Sequence, residues 1–370
     1  MNTFFHVSSY GDNTETVLQD CMQQIVNCPE EANFGFIYVS DVIADSLEDI
    51  LYHCKITSGI KCWVGSLGIG IIANDKEIYN QPAISLLLCH FDESQFNILE
   101  PISNLDQLLL KAEAPANSET CFAFLHADAY LEQAQDLINQ TAENIKNCFV
   151  AGGLTSSRTK QLHIANKVTS NSVSGVLFSD KISILTNLTQ GCTPLGKKHR
   201  ITQSEDNVAF SLDHKPALDV LYNEIGEVLA RDMETSAAYI FVGLCAPGSD
   251  QNDYMVRTLV AIDENKKVFA INDVLTEGKE LLFCRRDGNS ATQDMVRMLE
   301  NIKKRLTRTP KGGIYISCLG RGREQFGKDS EEIKMIHQTL GDFPLTGFFA
   351  NGEIHHNRVY GYTGVLILFT

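Results

Sequence analysis

Three segments of this chain repeat one plan, and a fold must satisfy all three at once. The first begins FGFIYVSD at Phe34, continues through the helical stretch SLEDILYHCKI, returns as KCWVGSLGIGII around Gly65, and later gives AISLLLCHF ending at Phe91. The second runs CFAFLHAD from Cys121, then LEQAQDLINQTAENI, then CFVAGGLTSS with Gly152 and Gly153, and later SGVLFS ending at Ser179. The third runs GGIYISCLG from Gly312, then SEEIKMIHQTL, then LTGFFANGEI with Gly347 and Gly352, and later TGVLILF ending at Phe369. In each, a buried strand precedes an amphipathic helix whose apolar residues, such as Leu131, Ala134, Leu137, Ile138 and Ile145, fall at helical spacing. An apolar strand broken by glycines follows, then another strand. The predicted unit is β-α-β-β, and a helix covering one sheet face makes this an α/β chain with mixed sheets covered by helices.

The stretch from Ser236 to Cys284 varies the plan. AAYIFVGL, VRTLVAID, KVFAIND and ELLFCRR are four short strand candidates, with Glu264-Asn265 turning the middle pair, and the helix lies upstream at ALDVLYNEIGEVLARD. A single core stops growing near roughly 250–300 residues, so a chain of 370 should hold about two domains. The run GCTPLGKKHRITQSEDNVAFSLDHKP, from Gly191 to Pro216, is polar and turn-rich with one short strand candidate. A boundary inside it gives domains 1–205, with two repeats, and 206–370, with one repeat and the variant.

Composition removes several classes of function. With 31 Lys and Arg against 46 Asp and Glu, the formal charge of −15 opposes nucleic acid or an anionic membrane as the main partner. The longest mainly apolar run, Ala237 to Ala246, is half the roughly twenty residues of a membrane-spanning helix. The opening MNTFFHVSSYGDN carries neither Lys, Arg nor a long apolar stretch, so no secretory signal is read there and a cytoplasmic protein is expected. Eleven scattered cysteines, among them Cys62, Cys89, Cys121, Cys148, Cys245 and Cys284 in apolar runs, fit reduced, buried thiols.

The familiar catalytic strings GxxxxGK[ST], HExxH, GxSxG and CxxC are missing. GSLGIG at Gly65 has dinucleotide-loop glycines in the wrong order, and reads as a strand turning tightly. His355 and His356 would point to opposite faces of a strand, a poor metal pair. His90 and His126 read as satisfied or exposed histidines, and Lys303, Lys304, Arg305, Arg308 and Lys311 as a solvated helix end complementing its dipole.

The last third is richer. ISCLGRGREQFG puts Cys318 at a strand end, with Gly320 and Gly322 flanking Arg321 and Phe326 following. Glycines around a cation let backbone N–H groups and a guanidinium converge on one small anion. FFANGEI sets Asn351 and Glu353 about Gly352, beside Phe348. Upstream, Arg257 alternates with Leu259 and Ala261 on one strand face, where a cation must find an anion: an acid such as Glu353 or Asp263, or a ligand carboxylate.

CLGRG followed by FG, then GFFANGEI and GYTG, resembles the C-terminal domain of FIST proteins. QGCTPLG, ITQSEDNVAFSLDHKPAL and VRTLVAID match as well, and GSLGIGI with VAGGL is similar to the FIST N-terminal domain; the likeness runs from about Asn13 to Phe369. The resemblance implies a sensory domain for small ligands such as amino acids or small carboxylates, in signal transduction and without catalysis. The ligand residues expected are Arg257 and Arg321 for an anionic group, Asn351 and Glu353 for an amine or amide, Phe326 and Phe348 as apolar wall, and Cys318, Gly322 and Gly352 around them. No output module fits outside the two FIST halves, so the partner would be a separate signalling protein such as a histidine kinase or chemoreceptor component. The family also implies an alternative, a haem-binding nitric oxide sensor; otherwise no cofactor is expected. A third reading makes Cys318 an enzyme nucleophile, its thiol pKa lowered by Arg321 and Arg323.

Overall fold

A computed structural model of the chain describes residues 4–116, 118–230, 239–245, 254–286 and 288–370. The chain divides into two compact units: Met1–Thr189 with Met295–Thr370, and Gln190–Asp294. The first unit therefore gathers all three sequence repeats, and the second is the variant region.

Each repeat is longer than the sequence pattern indicated, because a leading strand and helix precede it. Repeat one comprises β1 (Phe4–Tyr10), α1 (Thr14–Ile25), β2 (Phe34–Ser40), α2 (Leu47–Ser58), β3 (Cys62–Gly68), the hairpin β4 (Gly70–Ala73) and β5 (Lys76–Tyr79), and β6 (Ala83–Cys89). Repeat two comprises β7 (Phe96–Ile102), α3 (Leu105–Lys111), β8 (Cys121–Ala127), α4 (Ala134–Asn144), β9 (Cys148–Leu154), the hairpin β10 (His163–Ala165) and β11 (Lys167–Thr169), and β12 (Val173–Ser179). Repeat three starts with β13 (Ile184–Gln190), whereupon the second unit intervenes.

That unit contains β14 (Cys192–Glu205), β15 (Val208–Leu212), β16 (Lys215–Pro216), α5 (Ala217–Ala230, broken at Gly226), β17 (Ile240–Cys245), β18 (Tyr254–Asp263), β19 (Val268–Ile271) and β20 (Glu280–Arg286) in one seven-stranded sheet. The four strands expected from sequence are present. Arg231 and Asp232 of the expected helix, and Ala237, Ala238 and Ala246 of the long apolar run, lie outside the described residues. The junction expected to be mostly turn is instead the long strand β14, because its backbone pairs with both β20 and β15 regardless of its polar side chains. Repeat three resumes with α6 (Gly288–Arg305), β21 (Gly312–Cys318), α7 (Glu331–Leu340), β22 (Leu345–Ala350), the hairpin β23 (Glu353–His355) and β24 (Arg358–Tyr360), and β25 (Thr363–Phe369).

The first unit's three six-stranded sheets run β1-β6-β2-β3-β10-β11, β7-β12-β8-β9-β23-β24, and β13-β25-β21-β22-β4-β5. Every sheet takes four strands from its own repeat and its last two from a neighbour's hairpin: repeat two lends to one, three to two, and one to three. The exchange closes on itself. The inner sheet faces share one core, including Phe36, Phe124, Ile314, Phe178 and Phe369. Helices cover the outer faces, α1 and α2 over the first sheet, α3 and α4 over the second, α6 and α7 over the third.

One glycine per repeat permits this packing. Gly65, Gly152 and Gly347 sit opposite Ile37, Leu125 and Tyr315 in the parallel pairs, where an added Cβ would lie 1.8–1.9 Å from those residues' carbonyl oxygens. One residue further on, equivalent lateral rows face inward: His163–Ser66–Tyr38–Ser85, Glu353–Gly153–His126–Ser174 and Ile71–Phe348–Ile316–Val365. Two of the three rows are polar.

Candidate functional site

β21 ends at Cys318, and the CLGRG loop turns back on it: Arg321 N–H donates to the Cys318 carbonyl at 2.9 Å, and Leu319 N–H to that of Ala350 at 3.0 Å. Gly322 has φ +53°, and a Cβ there would meet Tyr79 Oη at 2.2 Å and the Phe349 ring at 2.6 Å, so conformation and space both require glycine. This turn delivers Arg321 into the protein, where it is only 1% exposed.

A buried guanidinium needs an anion, and α7 supplies Glu332, itself 0% exposed. Glu332 Oε1 accepts from Arg321 Nε at 2.8 Å and Tyr315 Oη at 2.6 Å, and lies 2.7 Å from Arg321 Nη2. Its Oε2 accepts from Ser317 Oγ at 3.0 Å and Gly322 N–H at 3.1 Å. Phe326, half-buried, places its ring 4.9 Å from the guanidinium carbon. Arg321 is thus charge-paired within the protein, and its Nη1 is left without a hydrogen-bond partner.

Glu353, at the start of β23, is fully buried on the inner face. Its Oε2 accepts from Thr363 Oγ1 at 2.7 Å and Thr363 N–H at 3.2 Å, whereas Oε1 has no partner. Burial pushes its pKa up to about 8, against the opposing pull of the Thr363 bonds and of Arg321. Glu77, on β5, is similar: burial and then neighbouring Glu332 push it up to about 8, and its Oε1 is also unpartnered. Its Oε2 accepts from Tyr79 Oη at 2.9 Å.

The Cys318 thiol is raised, first by burial and then by the adjacent Glu353 carboxyl; the backbone N–H groups of Gly320 and Tyr362 and the charge of Arg321 oppose this without prevailing. The thiolate expected for an enzyme nucleophile is therefore disfavoured. Arg323 does not alter this, since its guanidinium stands over the Tyr79 ring at 4.4 Å.

The other expected residues fall elsewhere. Phe348 is wholly enclosed, stacked on Tyr38 at 5.1 Å and 15°, and forms core rather than an open wall. Asn351 is exposed, its N–H donating to the Leu154 carbonyl at 3.2 Å, and Gly352 packs on Leu154 and Val359. Arg257 belongs to the second unit. There its Nε donates to Asp273 Oδ2 at 2.6 Å, so the acid it meets is neither Glu353 nor Asp263. The structure therefore assembles Cys318, Arg321, Gly322, Phe326 and Glu353, and adds Tyr315, Glu332, Thr363, Glu77 and Tyr79. Of the additions, only Glu332 was open to inference, since an Arg that folds inward demands an acid.

Among the described residues no three His, Cys, Asp or Glu side chains converge as a metal site. Two interior histidines have one ring nitrogen engaged and the other, Nδ1, without a hydrogen-bond partner. His126 and His163 are fully buried, held well below the ordinary histidine pKa by desolvation, and engage Tyr38 Oη at 3.2 Å and Ser172 Oγ at 3.1 Å through Nε2.

Comparison with known proteins adds identity to this geometry. A model of the FIST N domain matches residues 33–215, and one of the FIST C domain matches residues 217–356. An uncharacterized protein of Mycobacterium tuberculosis (strain CDC 1551 / Oshkosh) is 26% identical over 339 residues, covering 88% of each chain. An uncharacterized protein of Mycobacterium bovis is 27% identical over 321 residues, covering 83% of this chain and 82% of its own. The two family models meet within the junction, whereas the compact units divide after Thr189 and Asp294, so domain models and spatial units partition the chain differently. No helix among the described residues is long and apolar enough to cross a membrane. With both models covering most of its length, the chain belongs to the FIST family, whose domains are associated with sensing in signal transduction.

Proposed function

We propose that this protein is a non-enzymatic sensor that binds an amino acid or small carboxylate beside the CLGRG loop and relays occupancy to a separate signalling protein, such as a histidine kinase or chemoreceptor component. One observation carries the reading: a donor, Arg321 Nη1, and two carboxyl oxygens, Glu353 Oε1 and Glu77 Oε1, are buried without partners around the ends of β21, β23 and β5. Unmade hydrogen bonds of this kind cost about 1–3 kcal/mol each, which a ligand offering both donors and acceptors recovers. Because Glu332 already neutralises Arg321, the ligand's anionic end meets Nη1 as a directed donor rather than as a free charge. The carboxyl of Glu353, protonated near neutral pH, can donate or accept.

The test is a thermal-shift screen of amino acids and small carboxylates. A ligand at a hundredfold its Kd stabilises the native state by about 2.7 kcal/mol, and Glu353→Gln should weaken that response. If no small polar compound shifts the melting temperature, the sensor reading fails. Strong Soret absorption in the purified protein, or uptake of added haemin, would replace the amino acid with haem.

A further inference from the structure

Cys121 and Cys148 open the parallel strands β8 and β9 and stand directly opposite one another in the ladder. Adjacent strands lie about 4.7–4.9 Å apart, within the roughly 4.4–6.8 Å between Cα atoms that a disulfide spans. Both side chains belong to the helix-covered face of the second sheet, Cys121 within the cluster beneath α4 and Cys148 packed against its margin. The Cys148 thiol donates to the Phe149 carbonyl at 3.8 Å; the two thiols also perturb one another, Cys148 lowering the pKa of Cys121, and Cys121 together with burial raising that of Cys148.

Other neighbouring thiols lack one of these features. Cys192 and Cys284 in the second unit interact but are both buried, as are Cys21 and Cys54 beneath the first sheet. Cys121 is 4% exposed, yet its partner Cys148 is half-buried, giving the pair a solvent-facing side.

We propose that Cys121 and Cys148 are a modification site at which hydrogen peroxide joins β8 to β9 by a disulfide. The Cys121 thiolate attacks a peroxide oxygen; an S–O bond forms, the O–O bond breaks, and the departing hydroxide takes up the proton lost from Cys121. The Cys148 sulfur then attacks the sulfenic sulfur; an S–S bond forms, the S–O bond breaks, and hydroxide leaves with the Cys148 proton as a second water. Two thiols lose two electrons to one peroxide, and the product is restored by a dithiol reductant.

The experiment exposes the reduced full chain to hydrogen peroxide, denatures it in N-ethylmaleimide and maps the peptides by mass. The expected product has lost two hydrogens and two alkylatable thiols, carries a Cys121–Cys148 cross-link, and forms about tenfold faster than any oxidation of Cys318, whose thiol is raised. Cys148→Ser should abolish the cross-link and leave a Cys121 sulfenic acid that dimedone captures. Full alkylation of both thiols after the half-exposed Cys28 or Cys62 has been oxidised overturns the proposal. So does a cross-link that maps elsewhere. The wild-type peptide map decides the matter even if the serine variant fails to fold.

Discussion

Replacing Glu332 by Gln keeps the side chain's shape and removes its charge, leaving Arg321 buried without an anion. The structure sets the scale: both side chains are fully enclosed, and the carboxylate accepts from Tyr315, Ser317, Arg321 and Gly322. Breaking one side of such a pair costs about 3–5 kcal/mol, since the survivor keeps its desolvation penalty without the compensating attraction. At roughly 2–4 °C per kcal/mol for domains of this order, Glu332→Gln should melt about 6–20 °C below wild type. Adding Arg321→Met should recover part of the loss, because the stranded charge goes with it. Urea unfolding followed by circular dichroism, with calorimetry for the melting temperature, measures all three proteins. A single variant within about 1 kcal/mol of wild type, or a double variant worse than the two losses summed, would refute the assignment of Glu332 as the counterion that holds the CLGRG loop.

Glu353 makes a prediction about pH. Its folded pKa of about 8 exceeds the ordinary 4.5, so the folded state retains a proton that the unfolded state releases, and stability should fall as pH rises from about 4.5 to 8. Glu77 contributes in the same direction; Glu353→Gln should flatten the slope in that window, and an unchanged slope would show that Glu353 ionises normally. Gly152→Ala, whose Cβ would lie 1.9 Å from the Leu125 carbonyl oxygen, should cost at least about 1–3 kcal/mol by urea titration, and a neutral result would contradict the close strand approach. In the second unit, Asp273→Asn should destabilise by about 1–3 kcal/mol and couple to Arg257→Ala in a double-mutant cycle; independent, additive effects would separate the two.

How much of this was legible beforehand differs from element to element. The alternation of apolar strand, amphipathic helix and glycine-bearing strand follows from local pattern, and the second strand, second helix and returning strands of each repeat lie where that pattern put them, although β3, β9 and β22 run unbroken through Gly65, Gly152 and Gly347. The FIST resemblance likewise rested on contiguous strings, CLGRG and GFFANGEI above all. The leading strands were missed because β1, β7 and β13 lie at sheet edges, with mixed burial and weak alternation.

Sequence alone thus determined the repeat and the α/β class, since these depend on periodicity. Tertiary structure alone decided that each hairpin completes a neighbouring repeat's sheet, because backbone ladders carry no side-chain signature of their partner. It also decided the chemistry of the site. Arg321 looked like a ligand's counterion in a glycine turn, and became a paired structural charge when α7 brought Glu332 against it. Glu353 was read as an acid for a ligand amine or amide, or as a partner for Arg257, and became an interior carboxyl with its pKa raised by burial when β23 was laid against β9. Burial and the identity of the nearest charge set what an ionisable group does, and both are properties of the folded chain rather than of any window along it.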